Sequence, residues 1–297
     1  MRALRHALAL AAALVAGAAA AADTAPGRIA VAGSGLTEIV VALGAGDRLV
    51  GVDTTSLFPD RVRRLPQLGY LRAIAAEGVL SLKPDLLLAS EDAGPPAVLA
   101  QLASAGLRIV RTEDGYDPEA VVRRIGHVGA AIGREAAAGA LEREIAADLA
   151  SVRAAIPRAD RPRVLFLLAA GSGAPLVAGR ETAAAAMIDY AGGRNAIDAY
   201  RGYKPLAAES VLDAAPDLIL TTDTSVRALG GMDAIRAMPA FAALVRTRAV
   251  RFADVDPVYM FGYGPRVAHA VRDLARTIRP EVPLPELPDR SWLRADR

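Results

Sequence analysis

The sequence predicts an α/β protein of two Rossmann-like lobes joined by one long helical strut, with a ligand cleft between the lobes. Three observations predict it. A segment occurs twice: Ala75 to Leu88 reads AAEGVLSLKPDLLL and Ala207 to Leu220 reads AAESVLDAAPDLIL, identical at nine of fourteen positions and 132 residues apart. That spacing far exceeds the period of a solenoid, about 20–50 residues, so the copies mark two related lobes, each with the same short helix, turn and buried strand. Short apolar runs alternate with helical patterns around both copies, as in parallel sheets with helices on their faces. Between the copies, Arg134 to Ile156 is an Ala-rich run without Pro. It is longer than an ordinary connection of about 4–6 residues and lacks the Gly/Ser richness of a flexible hinge.

Each element follows in order. Arg2 and Arg5, the apolar run Ala7 to Gly17 and the small residues Ala18 to Ala22 read as a cleaved export signal over residues 1–22. The apolar run is shorter than the roughly 20 residues of a membrane span. The N-terminal lobe, 23–133, starts with the strand Arg28 to Ala32, the turn Gly33-Ser34-Gly35 and a helix from Thr37 to Leu43 that Gly44 stops. The strand Leu49 to Val52, the Pro-containing loop Asp53 to Gly69 and the helix Glu77 to Leu82 follow. The strand Asp85 to Ala89, the helix Pro95 to Ala105, the strand Leu107 to Arg111 and the helix Asp117 to Ile132 complete it. The linker helix occupies 134–157. The C-terminal lobe, 158–280, contains the strand Arg163 to Leu168, the loop Gly171 to Pro175, the helix Thr182 to Ala191 and the strand Leu218 to Thr221. Met232 to Met238, Phe241 to Val245, Val250 to Phe252 and the helix Gly264 to Ile278 close that lobe, and the Pro-rich tail 281–297 reads as irregular.

Composition removes several function classes. Without residues 1–22 the chain has 33 basic and 33 acidic residues, so nucleic acid is not an expected partner. The absence of Cys excludes thiolate metal sites and Cys nucleophiles. Only His127 and His269 remain after the signal, on predicted helices of different lobes; both read as solvated positions, and no His-rich metal site can form. Gly33-Ser34-Gly35 carries Glu38 where a dinucleotide loop needs its third glycine, so it reads as a tight strand-to-helix turn. Gly171-Ser172-Gly173 lacks the spacing of a nucleophile elbow. With no nucleophile–base pair in view, the expectation is a binding protein and not an enzyme, although a secreted Rossmann-like enzyme is a rival that fold alone never excludes.

The segment Leu68-Gly69-Tyr70-Leu71-Arg72 carries the sharpest chemistry. Residues two apart in an extended chain share a side, which would set Arg72 beside Tyr70 on a loop, where binding residues concentrate. A neighbouring cation and a ferric ion in front both favour phenolate, a recognised axial ligand of haem iron. Gly69 would remove bulk where a flat macrocycle approaches the backbone.

The run GYLRAIAAEGVLSLKPDLLL resembles the corresponding stretch of haem-specific periplasmic binding proteins. These belong to the helical-backbone class that also includes cobalamin and ferric-siderophore binders of ABC importers. GSGLTEIVVALG, GYKPLAAESVLDAAPDLIL and FGYGPR extend the likeness over nearly the whole mature chain, and Gly-Tyr-x-Arg before AAEGVL is its haem-specific part. The resemblance implies a monomeric periplasmic protein that delivers ferric haem b to an inner-membrane ABC permease dimer with its ATPase. Carried over, Tyr70 is the axial ligand of the haem iron and Arg72 steadies the phenolate. Arg227 is the basic residue in a loop after a second-lobe strand, turned towards the ligand, and Tyr203, Tyr259 and Tyr263 are candidate cleft aromatics. Glu77 and Glu209, at one position of the two repeats, dock on Arg of the two permease subunits; the plainer reading is a first-turn acid stabilised by the helix dipole. Some relatives hold two stacked haems through a His after the first strand of the second lobe, where this chain reads Phe166-Leu167-Leu168-Ala169-Ala170-Gly171. The nearest alternative is the same fold carrying a ferric siderophore or cobalamin. The position of the single Trp292 in the tail speaks against it.

Overall fold

The computed structural model describes residues 25–112, 115–169 and 173–294. The expected export signal over 1–22 and the Gly171-Ser172 part of the second glycine turn lie outside the described residues.

In the N-terminal lobe, strands β1 (Ile29–Ala32), β2 (Leu49–Val52), β5 (Leu86–Ser90) and β6 (Arg108–Thr112) form a parallel sheet in the order β2-β1-β5-β6. Every residue of β1 and β5 is buried, because helices cover both sheet faces and the strands therefore read as continuous apolar runs. Helix α1 (Ser34–Ala42) follows β1 directly. A two-stranded ribbon, β3 (Gly69–Tyr70) and β4 (Ala73–Ile74), lies between β2 and helix α2 (Ala76–Ser81). Helix α3 (Pro96–Ser104) has its proline at the first turn, where no N–H is needed. Helix α4 (Ala120–Ile132) stops at Gly133, which takes the left-handed conformation of a C-terminal cap.

After the linker helix α5 (Glu135–Ala155), the second sheet contains β7 (Arg163–Leu168), β8 (Leu176–Ala178), β9 (Arg194–Asn195), β10 (Tyr203–Pro205), β11 (Leu218–Thr222) and β12 (Arg251–Val255). Its order is β10-β8-β7-β11-β12, with β9 also pairing β7. Strands β7, β9, β11 and β12 are parallel, whereas β8 and β10 run antiparallel to their neighbours. The sequence reading assigned neither β8, β9 nor β10. All three are two or three residues long and β10 is wholly exposed, so none carries an alternating apolar signal. Helices α6 (Ala183–Tyr190), α7 (Ala208–Ala214), α8 (Asp223–Ala228), α9 (Met232–Ala237), α10 (Pro239–Thr247), α11 (Pro257–Phe261) and α12 (Val267–Ile278) complete the lobe.

The repeated segment forms the same unit twice. In the first copy the Asp85 carboxylate accepts the Gly27 and Arg28 amides at 2.9 Å, while Asp85 donates its own amide to the Arg28 carbonyl at 2.8 Å. The Arg28 guanidinium then reaches the Leu82 and Lys83 carbonyls beyond α2, at 2.7 and 3.0 Å. In the second copy Asp217 accepts the Arg163 amide at 2.8 Å and donates to the Arg163 carbonyl at 2.8 Å. The Arg163 guanidinium reaches the Ala214 carbonyl at 2.6 Å. Each Pro-Asp thus ends a helix and fastens the strand it starts to its neighbour. The lobes are equivalent at these positions, which sets Glu77 and Glu209, both exposed, in the first turns of α2 and α7.

The linker is embedded rather than free-standing: Ala138, Leu141, Ile145, Leu149 and Val152 form a buried stripe at helical spacing against α4 and α12. The tail, expected to be irregular, crosses this helix and closes in a 3₁₀ turn at Ser291–Arg294. Arg290 pairs with the buried Asp148 carboxylate at 2.7 Å, and Trp292 donates to Glu144 at 3.0 Å. His269 is half-buried with its ring edge-on to Trp292 at 6.3 Å, and burial lowers its pKa. This corrects its reading as a solvated helix position; His127 is exposed on α4.

A single core cluster runs from Ile29 and Leu86 of the first sheet through α5 to Val164 and Leu218 of the second. Across the junction the buried Glu38 of α1 takes a bidentate pair from Arg266 at 2.7 and 2.9 Å, with the guanidinium stacked on Phe58 at 3.8 Å. Arg124 donates to the Tyr263 carbonyl at 2.8 Å, and Tyr190 to Glu119 at 2.9 Å. A continuous core with three polar ties resists hinge motion more than a helix alone would. The radius of gyration from small-angle scattering should therefore change by less than about 1 Å on ligand binding. A contraction of several ångströms would show that the junction opens.

Candidate functional site

The C-terminal ends of parallel strands are where α/β sheets place ligands, above all where the strand order reverses. In the first sheet that point lies between β1 and β5, since α1 leads from β1 to β2 on one side while β5 flanks β1 on the other. Gly33 and Ser90 end these strands, and both line a cavity of about 480 Å³, open mouth included. Leu71, Asp92 and Tyr116 border it from the N-terminal lobe, and Phe261, Gly262 and Tyr263 from the C-terminal lobe. It is the cleft between the lobes.

Tyr70 and Arg72 stand beside this cleft. They are brought together by the ribbon β3–β4, in which Tyr70 pairs with Ala73 and Leu71-Arg72 form the turn; an extended run through Arg72 was the expectation and is not what the chain does. Arg72 Nη1 donates to the Tyr70 hydroxyl at 3.2 Å, and Arg72 Nη2 binds Asp92 Oδ2 at 2.5 Å. Burial alone would disfavour the guanidinium charge; the tyrosine and aspartate outweigh it and raise the Arg72 pKa above its usual value. Tyr70 is 49% exposed. The ribbon is held by the Thr54 amide on the Gly69 carbonyl, the Gly94 amide on Leu71 and the Ile74 amide on Gly94, at 2.9–3.1 Å. Gly69 has φ +98°, and a Cβ there would sit 3.0 Å from the Ala73 carbonyl oxygen. Its missing side chain thus serves the ribbon itself, which corrects the expectation that it clears space for a macrocycle.

The other candidates separate. Tyr203 lies on the exposed strand β10, but its hydroxyl end is enclosed near Tyr116 and Thr182, and that local burial pushes its pKa up to about 12. Tyr263 borders the cleft but is a joint between lobes: it is 6% exposed, its carbonyl accepts from Arg124 at 2.8 Å and its hydroxyl reaches the Tyr116 carbonyl at 3.3 Å as well as the Ala183 carbonyl of its own lobe at 3.0 Å. Burial, and then Tyr203 and Tyr116, raise its pKa. Tyr259 is not a cleft aromatic. Its hydroxyl donates to Asp273 at 2.8 Å and its ring lies under Arg266, so burial first and the Asp273 charge next raise its pKa. Arg227 is on helix α8, not in a loop, and binds Asp223 one turn earlier at 2.9 Å, an exposed i,i+4 pair. The FGYGPR stretch is likewise a junction element, with Tyr263 tied to Arg124 and Tyr116 and Arg266 on Glu38, while Phe261 packs edge-on to Phe166 within its own lobe.

Sequence reasoning missed Asp92, Ser90 and Tyr116. Asp92 follows a strand ending in Ser90 on an acidic loop, a signal that was present; Tyr116 had none beyond its loop position.

The periplasmic binding protein family model matches residues 29–258. Among solved structures, the periplasmic heme-binding protein BhuT in complex with two hemes is 41% identical, with a TM-score of 0.78 over 84% of this chain and 97% of that one. The periplasmic heme-binding protein RhuT from Roseiflexus sp. RS-1, in apo form, is 37% identical with a TM-score of 0.79 over 84% and 97%. The uncharacterized ABC transporter substrate-binding lipoprotein YvrC of Bacillus subtilis (strain 168) is 29% identical over 249 residues, 82% of this chain and 77% of that protein.

Proposed function

This chain belongs to the periplasmic binding protein family, and from that premise we propose that it captures ferric haem at the cleft and delivers it to an ABC permease dimer with its ATPase. In this reading it acts in the periplasm as a monomer, with residues 1–22 directing its export, and catalyses no reaction. The observation that carries the haem reading is the Tyr70–Arg72–Asp92 chain at the cleft mouth. The oxygen of a half-exposed tyrosine contacted by a guanidinium becomes, as phenolate, a hard anionic donor suited to Fe(III). The kinship with BhuT and RhuT supports the same ligand class.

The parts have distinct roles. Tyr70 binds the iron from the ribbon, and Arg72 lowers the proton affinity of the bound phenolate. Asp92 orients Arg72 and tempers its charge. Tyr116, on the cleft, and Tyr203 close to it contribute aromatic surface. Glu77 and Glu209 meet the permease.

This reading fixes the sign of a pH effect. Acid breaks the iron–phenolate bond by protonating the oxygen, so a neighbouring cation holds the midpoint down. Arg72→Ala should raise the midpoint of acid release by about one pH unit, and Asp92→Asn should lower it, both still binding haem at alkaline pH. Absorbance titration of the two complexes measures this. Unchanged midpoints would remove Arg72 from the ligand's electrostatics.

A further inference from the structure

Apart from the iron-binding oxygen, the cleft holds a second feature that points to a ligand. Helix α1 has nine residues, and its start at Ser34, Gly35 and Leu36 lines the cleft. The first amides of a helix have no acceptor within it, and no side chain caps these. Asp53 takes the amide of Gly33, the residue before the helix, at 2.9 Å, and is occupied further by the Ser56 hydroxyl and the Thr55 amide, each at 2.9 Å. Beside this start is Ser90 at the end of β5, whose Cβ lies 3.2 Å from where a Cβ on Gly33 would sit, and which also lines the cavity. It is 6% exposed, and its Oγ has no hydrogen-bond partner among the described residues. A buried hydroxyl left unpaired is costly, and the native reason for keeping one is a partner that arrives from outside.

We propose that the start of α1 and Ser90 together form an anion subsite that takes a carboxylate. Uncapped amides and the helix dipole favour negative charge at this end, and the Ser90 hydroxyl can donate to the same group. The Asp92 carboxylate in the same cavity does not fill the role, because it is bound to Arg72 at 2.5 Å. Leu71 and Asp92 line the cavity too, so the subsite opens beside the turn that carries Tyr70. In the haem reading, on which this part rests, the carboxylate is a propionate of the ligand; a free small carboxylate has the same chemistry.

The test compares haemin with haemin dimethyl ester, whose carboxylates are neutral, on the wild type, Ser90→Ala and Ser90→Asp. A second arm follows the Ser34, Gly35 and Leu36 amides by NMR as sodium acetate is added. The wild type should prefer the acid over the ester by about tenfold, the worth of one or two charge-assisted hydrogen bonds. Ser90→Ala should lose part of that preference and Ser90→Asp, which places its own carboxylate at the helix start, all of it. Acetate should shift the three amides in the wild type but not in Ser90→Asp if free carboxylates bind; a full acid preference with unmoved amides assigns the site to the propionate alone. If neither haemin form binds while acetate still shifts the amides, the anion site stands and the haem reading falls. Amides unmoved by acetate, together with either no acid preference or one that both variants retain, overturn the subsite. Ser90→Ala keeps the test decisive should Ser90→Asp fail to fold.

Discussion

Tyr70→Phe is expected to lose the tyrosinate-type spectrum of the ferric haem complex and to weaken haemin binding by about a hundredfold, roughly 3 kcal/mol. The effect should be large because the substitution removes one atom, the oxygen, and leaves the ring. The Tyr70 side chain is half exposed at the tip of a two-residue strand, and its backbone pairing with Ala73 does not depend on the hydroxyl. Folding should be unaffected, so circular dichroism and melting should match the wild type while the absorbance titration differs. Retention of the wild-type spectrum and affinity would place the iron ligand elsewhere, with Tyr203, near Tyr116, the next residue to substitute.

The second large effect concerns transport. Glu77→Ala/Glu209→Ala should bind haem with wild-type affinity yet reduce haem uptake through the reconstituted importer by at least about tenfold. Each exposed ion pair contributes little alone, about 0.2–1 kcal/mol, but two contacts on one rigid body reinforce each other through effective concentration. The rigid body is supplied by the junction: Glu38–Arg266 and the shared core tie together the lobes that carry α2 and α7. Each single substitution should therefore already reduce uptake, by less than the double substitution does but by at least half of its logarithm. Uptake by proteoliposomes and haem titration on the same preparations separate the two activities. Full transport by the double variant would reduce both glutamates to helix-start acids, whereas lost haem binding would put them in the ligand's path.

Much of this was legible in the sequence wherever a residue's local pattern and its tertiary role coincide. The repeat revealed a helix and a strand in each lobe because Val79 and Val211, and the leucines after each Pro-Asp, are buried at equivalent places. Strands β1, β2 and β7 were legible as apolar runs for the same reason. What the pattern concealed was set by partners remote in the chain. The Asp of each Pro-Asp clamps a strand more than fifty residues away, Asp85 holding Arg28 and Asp217 holding Arg163. Tyr259 and Arg227 look alike as candidates in a linear chain, and only the positions of Asp273 and Asp223 assign them to packing and to a helix-surface pair. Tyr70 and Arg72 are close as expected, though through a turn and not an extended strand. Ser90 is the clearest case of a hidden residue: it reads as the polar end of a strand, and its significance comes from an unpaired hydroxyl on a residue packed beside Gly33 at the start of α1.

The most direct measurement is a visible absorption titration of the purified wild-type protein with haemin, run beside one with cyanocobalamin. Ferric haem bound through Tyr70 predicts a saturable tyrosinate-type high-spin spectrum with haemin and no saturable change with cyanocobalamin. Haemin that retains its free spectrum in the presence of excess protein, or saturable binding of cyanocobalamin in its place, would contradict the account.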